Sequence, residues 1–465
     1  MEIVFFGAGE IGRRACGFFD MLGIEPDYFT DNSGDLWEQE CCGVKIISPE
    51  EACRQVDAVF LVTCKNDEGI REQLIHNGIS PQHIYPGKDY FGMIYFLCNI
   101  TDKTEEIKNP EVIWQNVLFD LAGGLVLGGV ETWSLKRAEE LQAKGYNTVC
   151  LTHDMIKHTI MPKKIPVVQL PYAMEGNTNI RVKLTMETIC KHLPCAIVCN
   201  FPNLNLVAAC LVKRMYPEKT KVIAVIHNDV TLYYEAYCKV QKYIDKCLVI
   251  SSKIRQTLIS EGFPRDKIHL LQWRTVLGTE LDRSYSLKGQ RIKIGYAGRL
   301  VLGQKRMDLL MFLAQMLRNK GCDFQLEFAG IGDYESEMRV QIQQYGLADR
   351  IHMLGLLEHA QMANFWKRQD IMVSCSDWEG HSISQVEAMA GGAVPILTDV
   401  SGVQDDVQDG YNGYVVEVGN IEEMADKIIF LERHREILAK MGMHAHETIK
   451  NRQLEEDVLE RLLKE

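Results

Sequence analysis

Two glutamates, Glu379 and Glu387, stand with seven residues between them in Glu379-Gly380-His381-Ser382-Ile383-Ser384-Gln385-Val386-Glu387. Some eighty positions earlier, Arg299 and Lys305 sit six apart in Gly295-Tyr296-Ala297-Gly298-Arg299-Leu300 and the loop after it. Two fixed cations are suited to a diphosphate, because ionised donors make short, strong hydrogen bonds to phosphate oxygens. Free amides at His381, Ser382 and Ile383, where a helix pattern begins, add to such a site through the helix dipole. A carboxylate at Glu387 accepts both hydroxyls of a ribose, and Glu379, ahead of the helix, reaches a sugar beyond the diphosphate. Each role places an anion or a donor where a sugar nucleotide offers the opposite partner.

These residues need rigid elements behind them. Short apolar, β-branched runs alternate with helical patterns along most of the chain, which predicts βαβ units and parallel sheets. In the last third, strands are expected at Ile292–Tyr296, Gln325–Phe328, Ile351–Met353, Ile371–Ser374 and Val394–Leu397. Gly298 ends the first of them and Gly332 the second, in Phe328-Ala329-Gly330-Ile331-Gly332-Asp333. Met353 closes the third and joins Gly298, Gly332, His381, Ser382, Ile383 and Glu387 in the donor-binding set. A middle unit has strand candidates at Asn116–Leu118, Thr148–Leu151, Ala196–Cys199, Val222–Ile226 and Cys247–Ile250. Gly128-Gly129 opens a helix pattern there, and His227 follows a strand.

A first unit carries Gly7-Ala8-Gly9-Glu10-Ile11-Gly12 between strand Ile3–Phe6 and a helix pattern, with Asp31 closing the next strand. Gly7, Gly9 and Gly12 permit a tight turn and close approach of backbone to a pyrophosphate, and Asp31 can bond a ribose hydroxyl. NAD or another nucleotide is the ligand class this site takes. The unit is short, shows no partner domain of an oxidoreductase, and resembles the small Rossmann-like domains found near sugar-nucleotide-modifying enzymes. The divisions expected are 1–96, a polar linker at 97–111, 112–287, 288–450 and a helix at 451–465.

Across 112–450 the chain resembles glycosyltransferase family 4, retaining enzymes of the GT-B fold. The resemblance rests on the spaced glutamates, Arg299 and Lys305, Gly128-Gly129-Val130-Glu131, His227, and Val394-Pro395-Ile396 with Asp409-Gly410-Tyr411-Asn412-Gly413 downstream. It implies an α/β chain with two Rossmann-like domains, here preceded by a third. It implies donor binding mainly in the second GT-B domain, a glycan or lipid-linked acceptor mainly in the first, and no metal or other required cofactor. Arg299 and Lys305 then stabilise the leaving diphosphate, Glu387 holds ribose and Glu379 orients the sugar. His227 contacts the sugar or its phosphate, and Gly128 and Gly129 approach the phosphates from the facing domain. Where many relatives have Phe-Gly after the first glutamate, this chain has His381-Ser382. The hinge region Leu270–Val276 also departs from the common Asn-Gly turn.

Composition agrees with a globular, multi-domain chain of 465 residues, 46% hydrophobic and 25% charged. A net charge of −12 argues against a nucleic-acid binder. The middle of the chain alone is basic, with 23 Lys and Arg against 16 Asp and Glu over residues 111–288, which suits an anionic acceptor or a peripheral contact with an anionic membrane. Fifteen cysteines without a C-x-x-C pair predict no zinc site, and an acidic N-terminus predicts no secretory signal, hence a cytoplasmic setting. The uncharged stretch Leu193–Val212 has the length of a membrane span, but Asn200, Asn203 and Asn205 inside it predict a buried strand, a loop and a helix instead. A non-catalytic sugar-nucleotide sensor and, last, an NAD-dependent oxidoreductase are the rival readings.

Overall fold

The computed structural model describes residues 1–55, 57–100, 114–121, 124–125, 128–153, 162, 164–172, 177–271, 281, 283–452 and 457–465. Each of the three units is built on its own sheet, six, seven and six strands wide, with helices between most successive strands. In the third sheet the spatial order is Ile351–Gly355, Phe324–Ala329, Ile292–Ala297, Ile371–Ser374, Val394–Thr398 and Tyr414–Val416, all parallel. Strand order therefore reverses between Ile292–Ala297 and Ile371–Ser374. The crevice outside the carboxyl ends at such a reversal is where an open α/β sheet takes its ligand.

The middle sheet repeats the arrangement, with Ile268–Leu270, Lys246–Val249, Thr220–Ile226, Cys195–Cys199, Asn116–Asp120, Asn147–His153 and Val167–Leu170 side by side. Its reversal lies between Asn116–Asp120 and Cys195–Cys199, so Asp120 and Asn200 come to the same rim. The stretch Leu193–Val212 resolves into the buried strand Cys195–Cys199 and the helix Leu204–Met215, capped by the Asn203 side chain on the Asn205 and Leu206 amides. No helix among the described residues is long and apolar enough to cross a membrane.

The first sheet runs Glu40–Cys41, Val44–Ile47, Tyr28–Thr30, Ile3–Phe6, Val59–Val62 and Ile84–Pro86, antiparallel only at the Glu40–Cys41 edge. Its last helix, Tyr90–Ile100, runs past the expected boundary at Phe96. It has no polar face because it is wedged between units: Met93, Ile94, Phe96 and Leu97 are fully buried, and Lys242 donates to the Cys98 carbonyl. At about 2 kcal/mol per buried side chain, such a wedge clamps the first unit to the second. Tyr90 adds hydrogen bonds to Thr178 and Asn179 of the middle unit. Most of the expected linker, the start of the second unit at Val112 and the Gln272–Val276 part of the hinge region lie outside the described residues.

The chain is attached to the third unit before residue 288. Arg283 donates to the carbonyls of Gly391 and Gln369, and Ser286 bonds the buried Asp370. At the other end, helix Arg435–Arg452 leads to helix Val458–Lys464, which returns to the middle unit. There Asp457 pairs with Arg137, Glu460 with Lys144, and the Leu462 carbonyl accepts from Lys221.

Candidate active site

The turns after the first two strands of the third sheet pack backbone on backbone. Gly298 has a positive φ of 157° and donates its amide to the Ala329 carbonyl. A Cβ on Gly330 would lie 1.9 Å from the Gly298 carbonyl oxygen, and one on Gly332 would lie 2.1 Å from that of Leu300. Gly298 and Gly332 thus serve by letting the two turns touch, which fixes Arg299 at the sheet rim. Arg299 donates to the Gln304 side-chain oxygen at 2.7 Å. The Gln304 amide donates to the Trp378 carbonyl at 3.0 Å and to Glu379 at 3.4 Å, while Lys305 forms an ion pair with Glu379. Arg299, Gln304, Lys305 and Glu379 form one connected chain at the switch point, buried at Gln304 and Glu379 and open to solvent at Arg299. Gln304 was not among the expected residues; its only sequence signal is its place beside Lys305 in the loop.

Beyond Glu379 the helix Ile383–Ala390 begins, with the Ser382 hydroxyl accepting from the Gln385 amide. Glu387 lies on its second turn, where burial pushes its carboxyl up to about 7 against the opposing pull of Trp366 and Lys136. Lys136 belongs to the middle-unit helix Gly129–Ala143. The amino-terminal ends of these two helices meet: a Cβ on Gly129 would lie 3.5 Å from Ile383 Cδ1. A Cβ on Gly128 would lie 2.5 Å from the Glu131 carboxylate, which is buried with its pKa raised by desolvation and lowered by its own backbone and by Arg299. Two helix dipoles therefore point their positive ends into one crevice, beside Arg299 and Lys305. That concentration of positive potential is an anion site made from both units.

His227 stands across the crevice, buried, at the end of strand Thr220–Ile226. Asn200 gives its amide hydrogens to the Asp120 carbonyl at 2.7 Å and the Ser134 hydroxyl at 3.0 Å. Its oxygen therefore faces His227 Nε2, at 2.8 Å, and Nε2 carries the ring proton. Burial pushes the imidazole down to about 3, so it is neutral, with Nδ1 an acceptor that has no partner among the described residues. Asn200 is a second residue that sequence reading did not assign to the site.

The side chains of two expected residues are engaged elsewhere. The His381 imidazole contacts the Ile250 carbonyl at 2.9 Å and Asp406 at 2.6 Å, and Asp406 also pairs with Arg452. Burial and Arg452 push the His381 pKa down to about 4. This side chain is a strut between the units, so only its backbone is left for a donor. Met353 lies on the same strand face as Ile351 and packs against the core of the third unit, because the strand continues to Gly355 and alternation turns Met353 inward. In the first unit, a Cβ on Gly12 would lie 2.0 Å from the Gly7 carbonyl oxygen, whereas Gly9, which caps the helix Glu10–Asp20, has open space beside it. Asp31 accepts from the amides of Ala8 and Ser33, both at 3.0 Å, and so braces the glycine turn itself. That cradle fits the close approach of a phosphate at Gly9, and the ribose role of Asp31 must share a carboxylate already holding the turn.

Residues 279–448 match the family model described as Glycosyl transferases group 1. The poly(ribitol-phosphate) alpha-N-acetylglucosaminyltransferase of Staphylococcus aureus is 30% identical over 173 residues, which are 37% of this chain and 34% of that one. The lipopolysaccharide core biosynthesis mannosyltransferase LpsB of Rhizobium meliloti is 28% identical over 189 residues, 38% of this chain and 52% of its own. The chain thus spans about a third to a half of the length of these relatives. Among solved structures, TarM superposes with a TM-score of 0.60 at 15% identity over 75% of this chain and 98% of its own. HepE from Anabaena, crystallised with UDP-glucose, superposes with a TM-score of 0.60 at 16% identity over 72% and 95%. The fold is an α/β assembly of parallel-sheet Rossmann-like domains, with GT-B glycosyltransferases as its structural neighbours. Its third unit carries the glycosyltransferase group 1 domain.

Proposed function

We propose that this chain is a retaining, metal-independent glycosyltransferase of family 4. In this reading it moves a sugar from a nucleotide-sugar, with UDP as the expected carrier, to a glycan or lipid-linked acceptor in surface polysaccharide or glycoconjugate synthesis. The observation that carries the reading is the crevice in which two helix amino termini, Arg299 and Lys305 converge next to the half-buried acid Glu387. The acceptor hydroxyl attacks the anomeric carbon on the face from which the diphosphate departs, and its proton passes to the leaving phosphate oxygen. Arg299 and Lys305 stabilise the charge on that phosphate, Glu387 holds the ribose, and Glu379 orients the sugar. The bare His227 nitrogen accepts a hydrogen from the sugar. The basic middle unit faces the acceptor and brings the enzyme to the anionic inner face of a membrane. In the first unit, the open turn at Gly9 takes a nucleotide.

A thermal-shift series with UDP, GDP, ADP, NAD and their sugar conjugates tests this. A ligand at a hundred times its dissociation constant adds about 2.7 kcal/mol, which is several degrees at this size. The expected result is a shift with one nucleotide-sugar series that disappears in Glu387→Ala. A shift with NAD alone, unchanged by that substitution, overturns the reading in favour of the first unit.

The raised pKa of Glu387 gives a second test. Ribose hydroxyls donate to the ionised carboxylate, so binding selects that form and releases a proton. With a free-enzyme pKa near 7, about a tenth of the carboxyl is ionised at pH ~6 and most of it at pH ~8, so affinity rises about tenfold between them. Titration calorimetry of UDP across that range should show the rise, and Glu387→Gln should flatten it. A flat profile in the unsubstituted enzyme removes Glu387 from the ribose site.

A further inference from the structure

The anion crevice holds one acid that a diphosphate has no use for. Glu131 stands in the first turn of the helix Gly129–Ala143, and its side chain folds back across the amino end of that helix. A Cβ on Gly128, the residue that caps the helix, would lie 2.5 Å from Glu131 Oε2. The carboxylate therefore lies over one of the two helix termini that meet here. The residue is 7% exposed, yet neither carboxylate oxygen is sealed in the interior. Burial raises its pKa, while its own amide and the Arg299 guanidinium across the crevice favour the ionised form.

A carboxylate offers only acceptor oxygens and carries charge of the same sign as a diphosphate. It takes up the positive end of the helix dipole that a phosphate would use, and it repels that phosphate. Glu131 thus opposes donor binding at the place where the rest of the crevice favours it. What a carboxylate holds well is a hydroxyl, through a short, charge-assisted hydrogen bond. Glu131 belongs to the middle unit, across the crevice from Arg299 and Lys305. On the same rim Asn228 and Tyr233 hydrogen-bond each other, within reach of the Glu131 charge. Asn228 is half-buried on the loop that follows His227. This side of the crevice is therefore built for a neutral molecule that carries hydroxyls.

We propose that Glu131 holds the acceptor. Its carboxylate accepts the hydrogen of a hydroxyl next to the attacking one, and so selects an acceptor whose reacting end is a neutral sugar or polyol and not a phosphate. The assignment rests on the transferase reading above. With the donor in place Arg299 turns to the diphosphate, and Glu131 is left to the acceptor. The attacking hydroxyl still gives its proton to the leaving phosphate oxygen, so Glu131 orients the acceptor and takes no proton.

Two measurements on the full chain test this: titration calorimetry of UDP, and saturation-transfer NMR of methyl glucoside and ribitol on the UDP-loaded protein. Glucose 6-phosphate is the charged counterpart. Glu131→Gln keeps the shape and an acceptor oxygen at the helix end while removing the charge. Loss of a like charge is expected to tighten UDP about threefold or more. Loss of a charged hydrogen bond is expected to weaken at least one neutral probe about tenfold or more. Glucose 6-phosphate should bind the unsubstituted protein no better than methyl glucoside and should gain in Glu131→Gln. A residue that merely caps its helix would move the melting temperature and neither affinity. UDP affinity that is unchanged or weaker in Glu131→Gln, neutral probes that bind both proteins equally or neither, or a preference of the unsubstituted protein for glucose 6-phosphate overturns the proposal. Those outcomes leave the transferase reading standing, whereas UDP that fails to bind the unsubstituted protein overturns both.

Discussion

Lys305→Ala is expected to lower kcat for sugar transfer by about two to three orders of magnitude. One preorganised charge at a developing anion is worth ~3–4 kcal/mol in a shielded site, and each 1.4 kcal/mol is a factor of ten. Lys305 is preorganised because Glu379 and the turn that carries Gln304 hold it at the rim of the crevice. Removing it also leaves the Glu379 carboxylate, itself largely buried, with the longer Gln304 contact, which costs up to ~3 kcal/mol of stability. Lys305→Arg retains charge with a different shape and should fall between. Glu379→Ala gives the complementary pattern: Lys305 is released for the diphosphate, so UDP binds at least as tightly while kcat falls. Steady-state kinetics with a UDP titration on the three variants separates these outcomes. Near-normal turnover in Lys305→Ala would remove it from the leaving-group site.

The strands read from sequence are mainly interior ones. Cys195–Cys199 and Thr220–Ile226 are buried on both faces, and strands of that kind are written as unbroken apolar runs. The strands that were missed, Glu40–Cys41, Ile84–Pro86, Val167–Leu170, Ile268–Leu270 and Tyr414–Val416, all lie at sheet edges. Each is short, and most are half-solvated, so their patterns fade into the loops. The site divides similarly. Arg299, Lys305, Glu379 and Glu387 are each marked by local spacing next to a strand end. The strut role of the His381 side chain is not legible because its partners are distant in sequence: Ile250 is 131 positions away, in another unit. Gln304 and Asn200 carry no spacing signal at all, since their value lies in which way a neighbour's hydrogen points. Helix Tyr90–Ile100 shows no amphipathic period because it is covered on several sides, which hid its true end.

Gly380→Ala is expected to separate donor binding from transfer. A Cβ at Gly380 would lie 1.9 Å from the His227 carbonyl oxygen and 2.6 Å from Ile250 Cδ1, both in the middle unit. No left-handed backbone angle is required at Gly380, so the third unit alone accommodates alanine. The substitution therefore penalises only the closed approach of the two units. Around it, Ser251 bonds Ser401 at 2.7 Å, the Ser252 amide donates to Asp405 at 2.7 Å, and His381 contacts the Ile250 carbonyl. These contacts bring His227 and the Gly128–Gly129 helix against the cations and acids of the third unit. Displacing reacting groups by about 1 Å costs about a hundredfold in rate. UDP affinity should fall less, by up to about fivefold, because Arg299, Lys305 and Glu387 stay in place on one unit and only the facing helix terminus, worth ~1 kcal/mol at most, is withdrawn. Kinetics and UDP titration measure the two quantities, and small-angle scattering should show a wider particle. Unchanged turnover in Gly380→Ala would mean that transfer does not need the close approach, and the two-sided anion site would lose its support.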